Sequence, residues 1–320
     1  MTGNINVRPR ASILRTLIFA LCLYFSLAAN IDHSRRSAMP QSSSSTVIDP
    51  AISVVDGVYT SASTQAFSPN APVIFFVPGA WHHYDFFAKV RVGLSYPSDT
   101  TNHPSIGAYP PTLDLNDDIA NLRAALLAHI NAGKQVVVVL HSYGGIVGSS
   151  AAHQLSYKYR QTQGLPGGII TLVYISAFVV PAGNSIRDML PGGQWNPWMK
   201  FEGDLSFTED EENIFYHDLS AAEKKYWVSR LRHHSLRAYE VKVGVNGEGW
   251  LETPSMYVYC EQDQAVPLVV QQAWKNSMGP GVATFSINAS HSPFISQPAK
   301  VREAIAAAIT FGRQESGITV

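Results

Sequence analysis

The chain has 320 residues, 46% of them hydrophobic, which is enough for a full apolar core in one large domain or two small ones. The formal charge is −1 at pH 7, so the composition offers no positive surplus for binding nucleic acid or an anionic membrane surface. The only cysteines, Cys22 and Cys260, are too few for a disulfide framework or a structural zinc site, which excludes those classes of protein.

The amino terminus, residues 1–28, has the pattern of a signal peptide or a membrane anchor. Three arginines precede the charge-free, mostly apolar stretch 16–29, and Ser26-Leu27-Ala28 offers the small residues that a signal peptidase reads. The stretch is shorter than the roughly 20 residues that span a bilayer comfortably, which favours cleavage. We therefore expect a secreted or secretory-lumen protein, with membrane anchoring through residues 16–29 as the alternative.

Residues 29–71 are polar and include the serine run 42–45, which is typical of a linker and an irregular segment. A regular pattern begins at residue 72 and continues to the carboxyl terminus at residue 320. Its apolar runs are typical of strands covered on both faces. These five predicted strands are 73–77, 136–140, 169–175, 256–260 and 283–287.

Apolar residues at helical spacing lie between these runs and after them. They are Leu115, Ile119, Leu122, Leu126 and Ile130 before the second strand, Ile146, Val147 and Ala151 after it, Val269, Val270 and Trp274 after the fourth, and Val301, Ile305, Ala308 and Ile309 after the fifth. Buried strands that alternate with helices predict an α/β protein with a mostly parallel sheet flanked by helices, because parallel neighbours need crossover connections.

Residues 183–250 interrupt this alternation. They contain no strand-like run and hold Trp195, Trp198 and Trp227 among many charges, so we predict a helical cap over one end of the sheet. The tryptophans could form the small core of the cap. Alternatively, they could shape an apolar substrate pocket above the site described next.

A candidate nucleophile, Ser142, follows the second predicted strand directly. A serine on a sharp turn from a strand to a helix exposes its hydroxyl above the sheet, and the helix directs its positive end at charge developing on a bound carbonyl. The usual motif is Gly-x-Ser-x-Gly. Here Gly144 supplies the second glycine but Leu140 replaces the first. A serine in such a position is also often only a helix cap.

The remaining members of a catalytic triad follow two later strands. Asp263 lies in the loop after the fourth predicted strand, and His291 lies in the loop after the fifth. All three loops lie at the carboxyl edge of a parallel sheet, where open α/β folds bind ligands. Glu261 is a rival acid that lies less deep in its turn. His141, beside the nucleophile, is interpreted as a packing or hydrogen-bonding residue.

With these residues in place, the chain resembles the α/β-hydrolase superfamily over residues 72–312, most closely the branch of plant methylesterases, hydroxynitrile lyases and fungal α/β-hydrolases of unassigned substrate. The resemblance rests on four stretches and on a fifth in the cap that resembles fungal members. They are Phe76-Val77-Pro78-Gly79-Ala80-Trp81-His82, His141-Ser142-Tyr143-Gly144-Gly145, Tyr259-Cys260-Glu261-Gln262-Asp263-Gln264-Ala265-Val266-Pro267, Ser290-His291-Ser292-Pro293-Phe294 and Phe215-Tyr216-His217-Asp218-Leu219.

The resemblance implies roles for these residues. Ser142 would be the nucleophile, His291 the general base and acid, and Asp263 the carboxylate that orients the histidine. The backbone N–H groups of Ala80 and Tyr143 would form the oxyanion hole. Two positions depart from the family pattern, with Pro78 where histidine is usual and Leu140 where glycine or another small residue is usual.

Ser292 and Gly79 occupy positions where the lyases of this branch carry lysine and threonine, which favours ester chemistry. The expected enzyme is therefore a serine esterase or lactonase, acting through an acyl-enzyme on a small to medium apolar substrate. Trp81, Trp195 and Trp198 are the predicted pocket residues. The alternatives are a cyclase, lyase or acyl transferase of a natural-product pathway on the same site and, with less support, a ligand-binding protein without turnover. No metal, other cofactor or nucleic-acid partner is predicted.

Overall fold

The computed structural model describes residues 54–55, 58–59, 67–68 and 70–318. The predicted leader, residues 1–28, and most of the predicted linker lie outside these residues. The chain divides into an amino-terminal unit, residues 1–66, and a second unit, residues 67–320. Within the described parts, no helix combines the length and the apolar character needed to cross a membrane.

The strands of the structure, in chain order, are β1 (Val54–Val55), β2 (Val58–Tyr59), β3 (Val73–Val77), β4 (Ser98–Thr100), β5 (Gln135–His141), β6 (Gly168–Ile175), β7 (Met199–Glu202), β8 (Leu205–Thr208), β9 (His234–Ser235), β10 (Ser255–Cys260) and β11 (Ala283–Ile287). In the first unit, β1 and β2 pair as antiparallel strands. In the second unit, six strands form a parallel sheet in the order β11-β10-β6-β5-β3-β4.

The α-helices, in chain order, are α1 (Ala88–Val92), α2 (Leu115–Asn131), α3 (Gly144–Ala151), α4 (Tyr157–Thr162), α5 (Ile186–Met189), α6 (Glu211–Ile214), α7 (Ala221–Val228), α8 (Arg237–Glu240), α9 (Leu268–Ser277), α10 (Pro293–Ser296) and α11 (Pro298–Glu315). Short 3₁₀ turns cover Tyr84–Phe87, Pro191–Gly193 and Gly249–Leu251. Helix α2 begins with a capping box in which Asp114 and Asp117 bond each other's backbone N–H groups.

The burial of each strand explains how clearly the sequence predicts that strand. Strands β3 and β6 are buried at every residue, as is β5 from its second residue onward, so they read as continuous apolar runs. Edge strand β11 alternates between half-buried and exposed residues along most of its length. The predicted α/β fold is confirmed, and the five predicted strands match β3, β5, β6, β10 and β11 to within one residue at each end.

Two expectations need correction. The short edge strand β4 was not predicted, because its sequence Ser-Asp-Thr has no apolar run and all three residues are only half-buried. The insertion is also not purely helical, since β7, β8 and β9 form a three-stranded antiparallel sheet within it. These strands are too short and too polar to produce a buried run, and helices α5 to α8 account for the rest of the predicted pattern.

Five loops that matter for the site begin at the same edge of the large sheet. They follow the carboxyl ends of β3, β5, β6, β10 and β11, because parallel strands bring these ends together. The loops carry Ala80, Ser142, Ser176, Asp263 and His291, respectively.

Candidate active site

Ser142 lies on the sharp turn between β5 and α3 in a left-handed backbone conformation, with φ at 51°. Such a conformation is costly for a residue other than glycine and is held by its surroundings. Its carbonyl accepts hydrogen bonds from the N–H groups of Gly145 and Phe178, both at 3.0 Å, and its own N–H donates to Ile175. A Cβ on Gly144 would lie 2.7 Å from the Pro78 carbonyl oxygen, so this position needs glycine.

The structure joins His291 to Asp263, both of which are buried. Nδ1–H of His291 donates to Oδ2 of Asp263 at 2.7 Å, so Nε2 is the ring nitrogen that can exchange a proton with another group. The other carboxylate oxygen, Oδ1, accepts the N–H groups of Ala265 at 2.8 Å and Val266 at 2.9 Å. The rival acid Glu261 is exposed to solvent, so Asp263 is the acid that the fold brings to the histidine.

A residue that the sequence analysis missed, Ser176, completes the surroundings of Asp263. Its hydroxyl donates to Oδ2, the same oxygen that accepts Nδ1–H of His291. Ser176 is buried and has φ at 41°, directly after β6. The available signal was its position, since it follows a buried strand at the same edge as the other loops.

The expected oxyanion-hole residues, Ala80 and Tyr143, both border the cavity that contains Ser142 and His291. Within the described part of the chain, the backbone N–H of neither residue donates to another protein group. Unpaired backbone donors beside a nucleophile are what an oxyanion hole requires. Ala80 and Tyr143, the donors that the family resemblance implied, therefore remain the candidate oxyanion hole.

Tyr143 is held by a buried carboxylate that the sequence analysis also missed. Its phenol donates to Oδ2 of Asp118 at 2.6 Å, and Asp118 further accepts the N–H and the hydroxyl of Ser105. Burial and the nearby Asp118 raise the pKa of Tyr143 well above its usual value, so its phenol remains a donor. Asp118 lies three residues after Leu115 and four before Leu122, on the buried face of α2. An acidic residue on this apolar face is the feature of the sequence that could have indicated a buried partner.

Two neutral histidines, His82 and His141, lie near the candidate base. Burial lowers the pKa of His82 to about 3 and that of His141 well below its usual value. Nε2–H of His141 donates to the backbone carbonyl of His291 at 2.9 Å, and the two rings lie 4.6 Å apart. His141, the last residue of β5, thus donates a hydrogen bond to the loop that carries His291, in line with its interpretation as a hydrogen-bonding residue.

The cavity above Ser142 is lined mainly by apolar side chains of the sheet edge and the cap. Its other lining residues are Trp81, Phe178, Ile186, Leu190, Asn196, Trp198, Met199, Phe215, Tyr239, Ala265 and Val266. Trp81 and Trp198 thus lie where the pocket was expected. Trp195 is not one of the lining residues; its ring packs against Phe201 and Tyr239. Among the described residues, no group of three or more His, Cys, Asp and Glu is arranged to hold a metal ion.

Comparison with known proteins identifies relatives of this fold. Residues 74–304 match the sequence profile of the "Alpha/beta hydrolase family". The chain is 29% identical over 237 residues to "Alpha/beta hydrolase nvfD" of Aspergillus novofumigatus, which covers 71% of this chain and 92% of that protein.

Two solved structures share the fold at lower identity. A pyrethroid hydrolase from Sphingobium faniae superposes with a TM-score of 0.55 at 20% identity, covering 74% of this chain and 96% of its own. A methylesterase from Arabidopsis superposes with a TM-score of 0.59 at 18% identity, covering 75% of this chain and 99% of its own.

Proposed function

The chain belongs to the alpha/beta hydrolase family, and from that membership and the geometry of the site we propose that it is a serine hydrolase of carboxylic esters or lactones. One observation carries the proposal. The strained Ser142 and the His291 imidazole, which is hydrogen-bonded to Asp263, border one cavity together with the unpaired N–H groups of Ala80 and Tyr143. A nucleophile, an oriented base and oxyanion donors are the parts that acyl transfer needs.

In the proposed reaction, the Ser142 hydroxyl attacks the carbonyl carbon of the substrate while its proton passes to Nε2 of His291. The oxygen of the tetrahedral intermediate accepts hydrogen bonds from the N–H groups of Ala80 and Tyr143. Nε2–H then protonates the leaving alcohol, and an acyl-enzyme on Ser142 remains. Water, deprotonated by His291, attacks this ester, and the imidazolium returns the proton to the Ser142 oxygen as the acid leaves. The Asp263 carboxylate accepts Nδ1–H and stabilises the imidazolium in both steps.

The cavity supports an apolar substrate of small to medium size. Its lining is dominated by Trp, Phe, Leu, Ile and Val side chains, and no Lys or Arg is among the described lining residues to pair with an anionic group. The names of two structural relatives, a pyrethroid hydrolase and a methylesterase, agree with this class of substrate.

A labelling and turnover experiment tests the proposal. Wild type should react with a fluorophosphonate probe at Ser142 and hydrolyse short p-nitrophenyl esters. Ser142→Ala should lose labelling, and His291→Ala should lose both activities by about 10⁴-fold or more. Ser150→Ala is the matched control, since the hydroxyl of Ser150 is buried without a hydrogen-bond partner in the described chain.

The outcomes separate the remaining possibilities. If wild type neither labels nor turns over any ester, the proposed hydrolase activity is wrong. If Ser142 labels but no ester or lactone is turned over, the non-hydrolytic alternative, a cyclase, lyase or acyl transferase on the same site, replaces it.

A further inference from the structure

The cap turn that contains Phe215, Tyr216 and Asp218 contacts two catalytic loops at once. This turn connects α6 to α7, and Phe215 and Tyr216 are both buried. Its residues are not adjacent in sequence to either loop, since Tyr216 is 134 residues from His82 and Phe215 is 75 residues from Ser290. The contacts therefore belong to the way the cap folds onto the sheet edge.

The first contact is a directed chain of hydrogen bonds to the oxyanion loop. Nδ1 of His82 lies 2.7 Å from the Ala80 carbonyl oxygen, and because a carbonyl only accepts, Nδ1 carries the proton. The imidazole is neutral at ordinary pH, so Nε2 has no proton and accepts the hydroxyl of Tyr216 at 2.8 Å. The phenol of the cap thus fixes the ring that holds the carbonyl of Ala80.

The second contact is to the loop of the base. The Ser290 hydroxyl donates to the Phe215 carbonyl at 2.9 Å, and the Ser290 N–H donates to Oδ2 of Asp218 at 2.9 Å. Ser290 is fully buried and directly precedes His291. The same turn therefore holds the residue before the base and the residue that presents an oxyanion donor.

Burying a phenol and an imidazole gains little stability over apolar side chains of similar shape, because their desolvation offsets most of the hydrogen-bond energy. Such a pair is more useful where a backbone group must keep one position, since oxyanion catalysis depends on donors held in place before reaction. The two loops that the turn contacts carry Ala80 and His291, which line the same cavity.

We propose that Tyr216 and Asp218 are positioning residues, through which the cap fixes the oxyanion loop and the base loop for catalysis. The inference rests on the proposed hydrolase function. Tyr216 acts through His82 on Ala80, and Asp218 acts through Ser290 on His291. Neither side chain takes part in bond making.

Tyr216→Phe is the sharpest test, because it removes one hydroxyl and keeps the ring. It should lower kcat by about 10- to 100-fold and leave KM within about twofold. A small displacement of the Ala80 backbone donor lowers the rate of the chemical step but changes substrate binding little. Active sites are titrated with the fluorophosphonate, so that kcat refers to folded, competent molecules. The control is Tyr174→Phe, which removes another fully buried hydroxyl, hydrogen-bonded to Ser149 at 2.7 Å.

The Asp218 pair of variants tests the second loop. Asp218→Ala removes the acceptor for the Ser290 N–H and should lower kcat by about threefold or more, whereas Asp218→Asn keeps an acceptor oxygen and should restore most of it. A kcat per titrated site for Tyr216→Phe and Asp218→Ala equal to that of the control would overturn the positioning role, whatever happens to thermal stability. An inactive wild type would instead refute the proposed function.

Discussion

The side chain of Leu140 fills the space that a side chain on Gly148 would need. Leu140 is the last but one residue of β5 and is fully buried, and a Cβ built on Gly148 of α3 would overlap its terminal methyl groups. Leu140 is also the residue that replaces the first glycine of the nucleophile motif. The elbow therefore accommodates this departure by a glycine one turn into the following helix.

This complementarity predicts the sign of a substitution. Alanine in place of glycine inside a helix ordinarily stabilises by about 0.5–1 kcal/mol. Gly148→Ala should instead lower the free energy of unfolding by about 1–3 kcal/mol, because it overpacks the contact with Leu140. Urea unfolding measures the change, with Gly281→Ala as the control, since a Cβ there meets no neighbouring atom.

A double substitution tests whether the cost of Gly148→Ala comes from its contact with Leu140. Leu140→Ala removes the methyl groups that Gly148→Ala would meet, so the two changes together should cost less than the sum of the single costs. Additive costs would show that the overlap is relieved elsewhere.

The hydroxyl of Ser176 predicts a catalytic effect for a residue that does not touch the substrate. Ser176→Ala removes a donor to the Asp263 oxygen that pairs with His291. We expect kcat for p-nitrophenyl esters to fall by about tenfold, or about 1.4 kcal/mol of transition-state stabilisation, with KM unchanged. Ser176→Thr, which keeps a hydroxyl, is the conservative comparison, and wild-type kcat in Ser176→Ala would disprove the role.

The parts of the fold that could be predicted from the sequence are those whose environment is uniform along the chain. Strands β3, β5 and β6 are covered on both faces and have mainly apolar sequences, and Ser142 follows β5 directly. Asp263 and His291 follow β10 and β11, of which β11 is only partly buried but still has apolar residues at alternate positions. Edge strand β4 and the small sheet of the cap lie in mixed environments, so their sequences contain no comparable signal.

The contacts that Tyr216 and Ser176 make across long sequence separations could not be predicted. The bond from Tyr216 to His82 spans 134 residues, and that from Ser176 to Asp263 spans 87. Both depend on loops that meet only after the sheet and the cap have formed. Asp118 is intermediate, because its place on the apolar face of α2 is visible in the sequence whereas its partner Tyr143 is not.

The buried histidines predict how stability depends on pH. Burial lowers the pKa of folded His82 from 6.5 to about 3, whereas the unfolded chain takes up this proton near pH 6.5. Below that pH the unfolded state binds more protons, so the free energy of unfolding falls as pH falls from 6.5 towards 3. Above pH 6.5 neither state binds this proton, so His82 causes no change in stability there. Burial lowers the pKa values of His141 and His234 as well, which adds to the effect.

The variant His82→Asn removes one of these titrating groups. Urea unfolding between about pH 8 and pH 5 should show a slope against pH that is smaller than in wild type by up to about 1.4 kcal/mol per pH unit, and only below pH 6.5. The slope is independent of any constant loss of stability from the substitution. An unchanged slope would show that the pKa of His82 is the same in the folded and unfolded chains.

The lining of the cavity predicts that the cap limits the acyl chain of the substrate. Ser142 and His291 share the cavity with side chains of the cap, among them Trp198 and Met199. Trp198 is one of these lining residues of the cap and packs edge-on against Trp81 and Phe215, with ring centroids 5.8 and 5.5 Å away. Trp198→Ala should therefore open room for a longer chain.

The measurement is the ratio of kcat/KM for p-nitrophenyl hexanoate to that for the butanoate. Two additional buried methylenes contribute about 1.6 kcal/mol, so the ratio should rise about 15-fold in Trp198→Ala relative to wild type. Trp195→Ala is the matched control, because Trp195 does not line the cavity and packs against Phe201 and Tyr239. Equal ratios in the two variants would show that Trp198 does not set the length of chain that the site accepts.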